Sequence, residues 1–359
     1  MLNKNKISDG QAIVLIVLAS ISSALFFVPL GVVTIVDQDA WIAMILATFL
    51  AMLLVYYPLA DLGRRYPGKT IIQYSENILG RFAGKLVGAI FVYYFFQNHC
   101  WALREFGEVT AVFLPKTPML VIMLLLSLLT AYAVNSGLEV IGRCAELLFP
   151  IGVFALVFIV VGSAGLMDFT KIMPVMEGPV LPLLWATLIP LDWLSVGFVF
   201  SVITASVNKR SIVKNGLTAV GMAGVILTVF SLVNIMVIGT PLLKKISFPL
   251  LELARYGKIP VFERMEVLIV VFWSSWIFVK GALFSYATVL SLSQFFNLAG
   301  YRFLILSETV LAIAYAVYQY NSFVEMSYLF NTATLYYISL SVGLPFTLWL
   351  VSIARSKSG

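Results

Sequence analysis

An aspartate at position 192 stands two residues after Pro190 inside an otherwise apolar run, PLLWATLIPLDWLSVGFVFSVITASV at 182–207. A carboxylate is costly to bury, and a helical proline leaves a carbonyl one turn earlier without its hydrogen bond. Both defects are relieved where a polar ligand supplies the partners. Interrupted helix ends offer N–H groups to a carboxylate and carbonyls to an ammonium, so the chemistry is that of holding a small zwitterion. The competing reading is a Pro-kinked helix with Asp192 hydrogen-bonded internally. Two more stripes bear chemistry. Tyr94, Asn98, Trp101, Glu105 and Glu108 recur at three- and four-residue steps, which places them on one helix face. Lys280, Phe284 and Thr288 make a second face. Lys280 can stand where a sodium ion would bind, pair with Asp192, or belong to a structural ion pair. Asp192, Lys280 and Glu105 are the candidate coupling groups.

The elements that carry these residues follow from composition. The chain has 359 residues, 61% hydrophobic and only 11% charged, against about 25% charged in a soluble domain. It is an all-α integral membrane protein by that measure. A crossing helix needs about 20 apolar residues. Ten stretches qualify: 12–36, 40–60, 86–114, 118–137, 141–166, 182–207, 215–239, 266–290, 303–320 and 334–353. At about 1.5 Å per residue, Ser22 and Asp192 each lie about 15 Å into their spans, near the bilayer centre. An intramembrane carboxylate at that depth is a functional candidate by default. For Glu105, with Arg104 and Glu108, a place in the outer headgroup region is the alternative. Most Lys and Arg residues fall on the inner side if both termini are cytoplasmic; the basic loop 240–264 dissents.

The ten spans divide five plus five, as pseudo-repeats of about 10–170 and 180–355. In each half the first span is marked near its middle, by Ser22, Ser23 and Pro29 in one and by Pro190 and Asp192 in the other. Each second span is followed by a comparable connection, RRYPGKTIIQYSENILGRFAGK at 64–85 and KKISFPLLELARYGKIPVFER at 244–264. An odd number of spans per half puts these on opposite membrane faces, which accounts for the dissenting loop; chance similarity of proline-led basic loops is the alternative. An inverted repeat binds its ligand at the midplane, between the broken first helices of the halves. SISSALFFVP in span one offers small residues there but no glycine.

Other classes are disfavoured. No nucleophile elbow, phosphate-cradling glycine loop or metal-ligand spacing is present, so neither an enzyme nor a cofactor is expected. Cys100 and Cys144 read as small hydrophobes, and the single histidine, His99, as a satisfied interior residue. No basic, aromatic-interleaved patch suits nucleic acid. Glu139, Arg143 and Glu146 read as helix-surface pairs, and FERME at 262–266 as interfacial.

The segments DAW (39–41), YPGKTIIQY (66–74), ILGRFAGK (78–85), ALREFGE (102–108), LPKTP (114–118), GLEVIGRCAELLFP (137–150) and FERME (262–266) make the chain resemble the endospore germination permeases. These are the B subunits of spore germinant receptors, within the amino acid–polyamine–organocation superfamily. The resemblance implies a ten-helix inverted repeat of the leucine-transporter type in the spore inner membrane. It implies a small amino acid germinant and partnership with A and C subunits. It also implies a pocket on spans one, three, six and eight, here Ser22, Ser23 and Ala24; Tyr94 and Asn98; Leu191 and Asp192; Phe284 and Thr288. A proton-coupled amino acid transporter is the second functional reading.

Overall fold

Hydrocarbon offers a backbone no water to bond, so each apolar run closes its own hydrogen bonds as a helix. The computed structural model describes residues 6–256, 265–322, 325–326 and 332–357, and the described residues contain helices and no strands. Helix occupies all ten predicted stretches. Among the described residues, seven segments are long and apolar enough to cross a membrane by length and composition.

In chain order the helices are α1 (Asp9–Val36), α2 (Ala40–Ala51), a π-turn (Met52–Tyr56) leading directly into α3 (Tyr57–Arg65), α4 (Ile71–Leu79), α5 (Arg81–Phe113), α6 (Met119–Ser136) and α7 (Leu138–Gly162). The second half continues with α8 (Val180–Ser195), a 3₁₀ turn (Val196–Val199), α9 (Phe200–Ile203), α10 (Ile212–Ile238), α11 (Thr240–Leu243), α12 (Pro249–Tyr256) and α13 (Met265–Phe295). It ends with α14 (Ile305–Tyr318), α15 (Thr334–Ile338), a π-turn (Ser339–Gly343) and α16 (Leu344–Lys357). Helices α1, α5, α8, α13 and α15 supply the candidate site. Both connections that suggested a repeat contain a short amphipathic helix, α4 packed on α5 and α12 packed on α13. Gly84 permits the first contact, since a Cβ there would lie 2.4 Å from the Glu76 backbone. The later part of the second connection, with Lys258, Arg264 and the start of FERME, lies outside the described residues.

The N-terminus of α1 is held firmly. Ser8 and Gln11 form a reciprocal capping box. Glu146 of α7 accepts hydrogen bonds from the Ser8 hydroxyl and the Gln11 amide, both at 3.1 Å, and Asp9 accepts from Ser211 at 2.7 Å and Asn215 at 2.8 Å. Glu146 therefore serves α1, whereas Arg143 pairs with Glu139 at 2.6 Å.

Two expectations about broken helices are corrected. Span one is a continuous α-helix through Ser22, Ser23 and Pro29. It has no glycine at its middle to relax the backbone, and its side chains from Leu15 to Phe26 are all buried. Span six also continues through Pro190 and changes geometry only after Ser195. The displaced break has a physical cause at Gly197, where a Cβ would fall 1.7 Å from the Tyr56 hydroxyl oxygen. That hydroxyl enters the gap and donates to the Leu194 carbonyl at 2.9 Å, joined by Ser20 at 3.3 Å. Tyr56→Phe is expected to cost about 0.5–1.5 kcal/mol by removing the shorter of that carbonyl's two hydroxyl donors, read as a lower unfolding temperature in detergent. Gly197→Ala should cost more, and part of that loss should return in the Gly197→Ala, Tyr56→Phe double variant.

Candidate functional site

The polar face of α5 carries two stations. Asn98 and Glu105 are seven residues apart, about 10 Å along the helix axis.

At the first station Glu105 is fully buried, and one of its oxygens accepts a hydrogen bond from the Ser23 hydroxyl of α1. Lys280 of α13, also buried, donates to the same Ser23 oxygen and lies 3.6 Å from the Glu105 carboxylate. Its ammonium also stands 5.8 Å from the centre of the Trp193 ring. Ser23 thus relays between opposite charges, and the pair cancels within the bundle. Of the alternatives left open by the sequence, Glu105 is interior to the protein and Lys280 belongs to an ion pair with Glu105. The other Glu105 oxygen, Oε1, has no partner among the described residues, and neither has the buried Ser22 hydroxyl on α1. The Ser22 carbonyl receives the Trp273 indole N–H at 2.6 Å.

The second station is built around Asp192. Its side chain is 9% exposed and makes no hydrogen bond or ion pair among the described residues. Its electrostatic neighbours are the phenols of Tyr94 on α5 and Tyr337 on α15. Asn98 donates to the Tyr94 carbonyl at 2.9 Å and leaves its own Oδ1 unmatched. Tyr94 lies within electrostatic reach of Asp192, and Asn98 stands one turn along α5 from Tyr94. Tyr337 was missed, because span ten shows no polar periodicity in sequence. The remaining expected residues are less available. Ala24 and Leu191 are buried, Thr288 bonds the Phe284 carbonyl of its own helix at 2.8 Å, and Phe284 packs against Phe95.

Aromatic layers bracket the stations. Towards the C-terminal end of α1, Phe27 stacks on Trp193, Phe26 meets Trp273, and Phe248 closes edge-on over Phe26 and Phe27. Towards the opposite end, Phe198 rides on the 3₁₀ turn of span six and packs between Phe91 and Phe95. Beyond that layer a cavity of about 1660 Å³ opens beside the N-terminus of α1, with Lys6, Lys69, Asn208, Tyr286 and Arg302 in its wall.

Two further polar groupings lie off this face. Arg104, 3% exposed, donates to the Ala316 and Val317 carbonyls and pairs with Glu108 at 2.8 Å, which caps the C-terminus of α14. Glu308 of α14, a carboxylate within LILSETVLAIAY, meets His99 at 2.6 Å. Its isolation in an apolar run was the signal that could have marked it.

A family model described as spore germination protein matches residues 6–324. The chain belongs to that family. Its curated relatives include Spore germination protein KB of Bacillus subtilis (strain 168), 30% identical over 305 residues that cover 82% of this chain and 80% of the relative. Spore germination protein YndE of the same organism is 28% identical over 304 residues, covering 82% of each chain. Among solved structures, MhsT in complex with L-phenylalanine superposes with a TM-score of 0.70 at 13% identity, over 94% of this chain and 87% of that one. At that identity the likeness is one of fold. This member of the spore germination family has the helix architecture of the leucine-transporter type, and its two stations lie where spans one, three, six, eight and ten meet.

Proposed function

We propose that the protein is the germinant-sensing membrane subunit of a spore germination receptor and that it binds a small amino acid at the Asp192 station. The supporting observation is a nearly buried carboxylate without a hydrogen-bond or ion-pair partner among the described residues, within electrostatic reach of Tyr94 and Tyr337 and enclosed between aromatic layers. The ligand ammonium meets Asp192, and its side chain packs on the aromatic rings. Because α1 is continuous, its backbone offers no N–H cradle for the ligand carboxylate. Side-chain donors, the Ser22 hydroxyl and the Tyr94 and Tyr337 phenols, take that part. The L-phenylalanine bound by MhsT supports an amino acid as the ligand class. In this reading the chain crosses the spore inner membrane ten times with both termini cytoplasmic, and binding shifts the balance between two helix arrangements. A and C subunits read that shift, and the protein catalyses no covalent change.

The second reading is a proton-coupled amino acid transporter, favoured by the Glu105–Lys280 pair between α5 and α13 and by the cavity at one end. Radiolabelled alanine, valine and proline offered to proteoliposomes under an imposed proton gradient separate the two. Saturable binding without accumulation is expected for a sensor. Accumulation means transport, and absence of saturable binding for all of them rejects the amino acid assignment.

A further inference from the structure

A buried ionisable pair lies apart from both stations. His99 of α5 and Glu308 of α14 are 0% and 2% exposed at their side chains, with Nδ1 and Oε1 2.6 Å apart. The second Glu308 oxygen accepts the Ser285 hydroxyl of α13 at 2.8 Å. Glu308 is thus bracketed by an imidazole nitrogen at one oxygen and a hydroxyl donor at the other. The opposite ring nitrogen, Nε2, is buried and has no hydrogen-bond partner among the described residues.

The surroundings supply little to balance the carboxylate. On α5 the adjacent Cys100 is a buried thiol within electrostatic reach of Glu308. On α13, Lys280 lies five residues before Ser285, but its ammonium is held by Ser23 and Glu105. The ring edge of His99 faces Gly281, where a Cβ would lie 3.9 Å from Cδ2. On α6, Thr130 reaches the same glycine, with its hydroxyl bonded to the Ser127 carbonyl. Among the described residues the ion pair of Glu308 is with His99.

We propose that His99 Nε2 is a proton-binding site with Glu308 as counter-ion, separate from the Asp192 and Glu105 stations. A proton added at Nε2 turns a buried negative cluster into a neutral imidazolium–carboxylate pair. That compensation across 2.6 Å outweighs the one N–H left without an acceptor. The proton is then bound where α5, α13 and α14 join, on the same α5 and α13 that carry Glu105 and Lys280.

His99 is the single histidine of the chain, so ¹⁵N-histidine labelling gives one imidazole to read. The test uses the full chain in lipid nanodiscs without ligand, from about pH 9 down to about pH 5. It therefore stands or falls apart from the amino acid assignment. The expected spectrum is the neutral Nδ1–H ring at high pH, converting to imidazolium as pH falls. Glu308→Gln should lose the imidazolium signal, and Ser285→Ala should keep it. A ring that stays neutral throughout, or an Nε2–H ring at high pH, overturns the proposal. Imidazolium that persists in Glu308→Gln also overturns it. If that variant does not fold, the wild-type titration decides alone.

Discussion

Asp192→Asn is expected to abolish the germination response at normal membrane abundance and to raise the thermal stability of the ligand-free protein. The two effects have one cause. Asp192 is nine-tenths buried and makes no hydrogen bond or ion pair among the described residues, so its charge is a liability until a cation arrives. Replacing the carboxylate by a neutral amide of the same shape relieves the cost of holding an unpaired charge in the interior. Losing the charged partner of a ligand ammonium should weaken binding by about 2–5 kcal/mol, which is roughly thirty-fold or more. Response is measured in spores carrying the variant, and stability by thermal unfolding of the purified protein. A variant that responds normally removes Asp192 from the site. A variant that unfolds more easily means that the carboxylate holds the bundle together, as the internal-bond reading has it.

Lys280→Met is expected to have the largest effect on stability, with the opposite sign. It strands Glu105 as a buried charge whose remaining partner is the Ser23 hydroxyl, and breaking a buried ion pair from one side costs about 3–5 kcal/mol. Glu105→Gln in the same chain should recover more than half of that loss, because the pair is then removed together. Since Asp192 shares no partner with Lys280, Asp192→Asn should add to either change within about 0.5 kcal/mol. Strong non-additivity between Asp192 and Lys280 would restore the pairing that the sequence left open.

Much of the architecture was legible because hydrocarbon imposes one rule on every span. Apolar runs had to become helices, and the three- and four-residue spacing of Tyr94, Asn98 and Glu105 put them on one face of α5. The partners of those residues were not legible. Lys280 meets Glu105 through Ser23, a contact fixed by how α1 and α5 each pack against α13, and no local pattern encodes that. Pro190 pointed to the right helix but the wrong turn. A proline kink is tolerated inside a packed span, whereas the change to 3₁₀ geometry needed Gly197 and the hydroxyl of Tyr56, which comes from another helix. Continuity of α1 follows from an absence, the lack of glycine in SISSALFFVP. Tyr337 and Glu308 belong to spans nine and ten, where the resemblance placed no ligand contact.

The most direct measurement is equilibrium binding of radiolabelled alanine, valine and proline to the purified protein in nanodiscs, with wild type and Asp192→Asn side by side. Saturable binding to wild type that disappears in the folded variant is the expected result. Equal binding to both proteins would contradict the account, and the ligand site would then have to be sought away from Asp192.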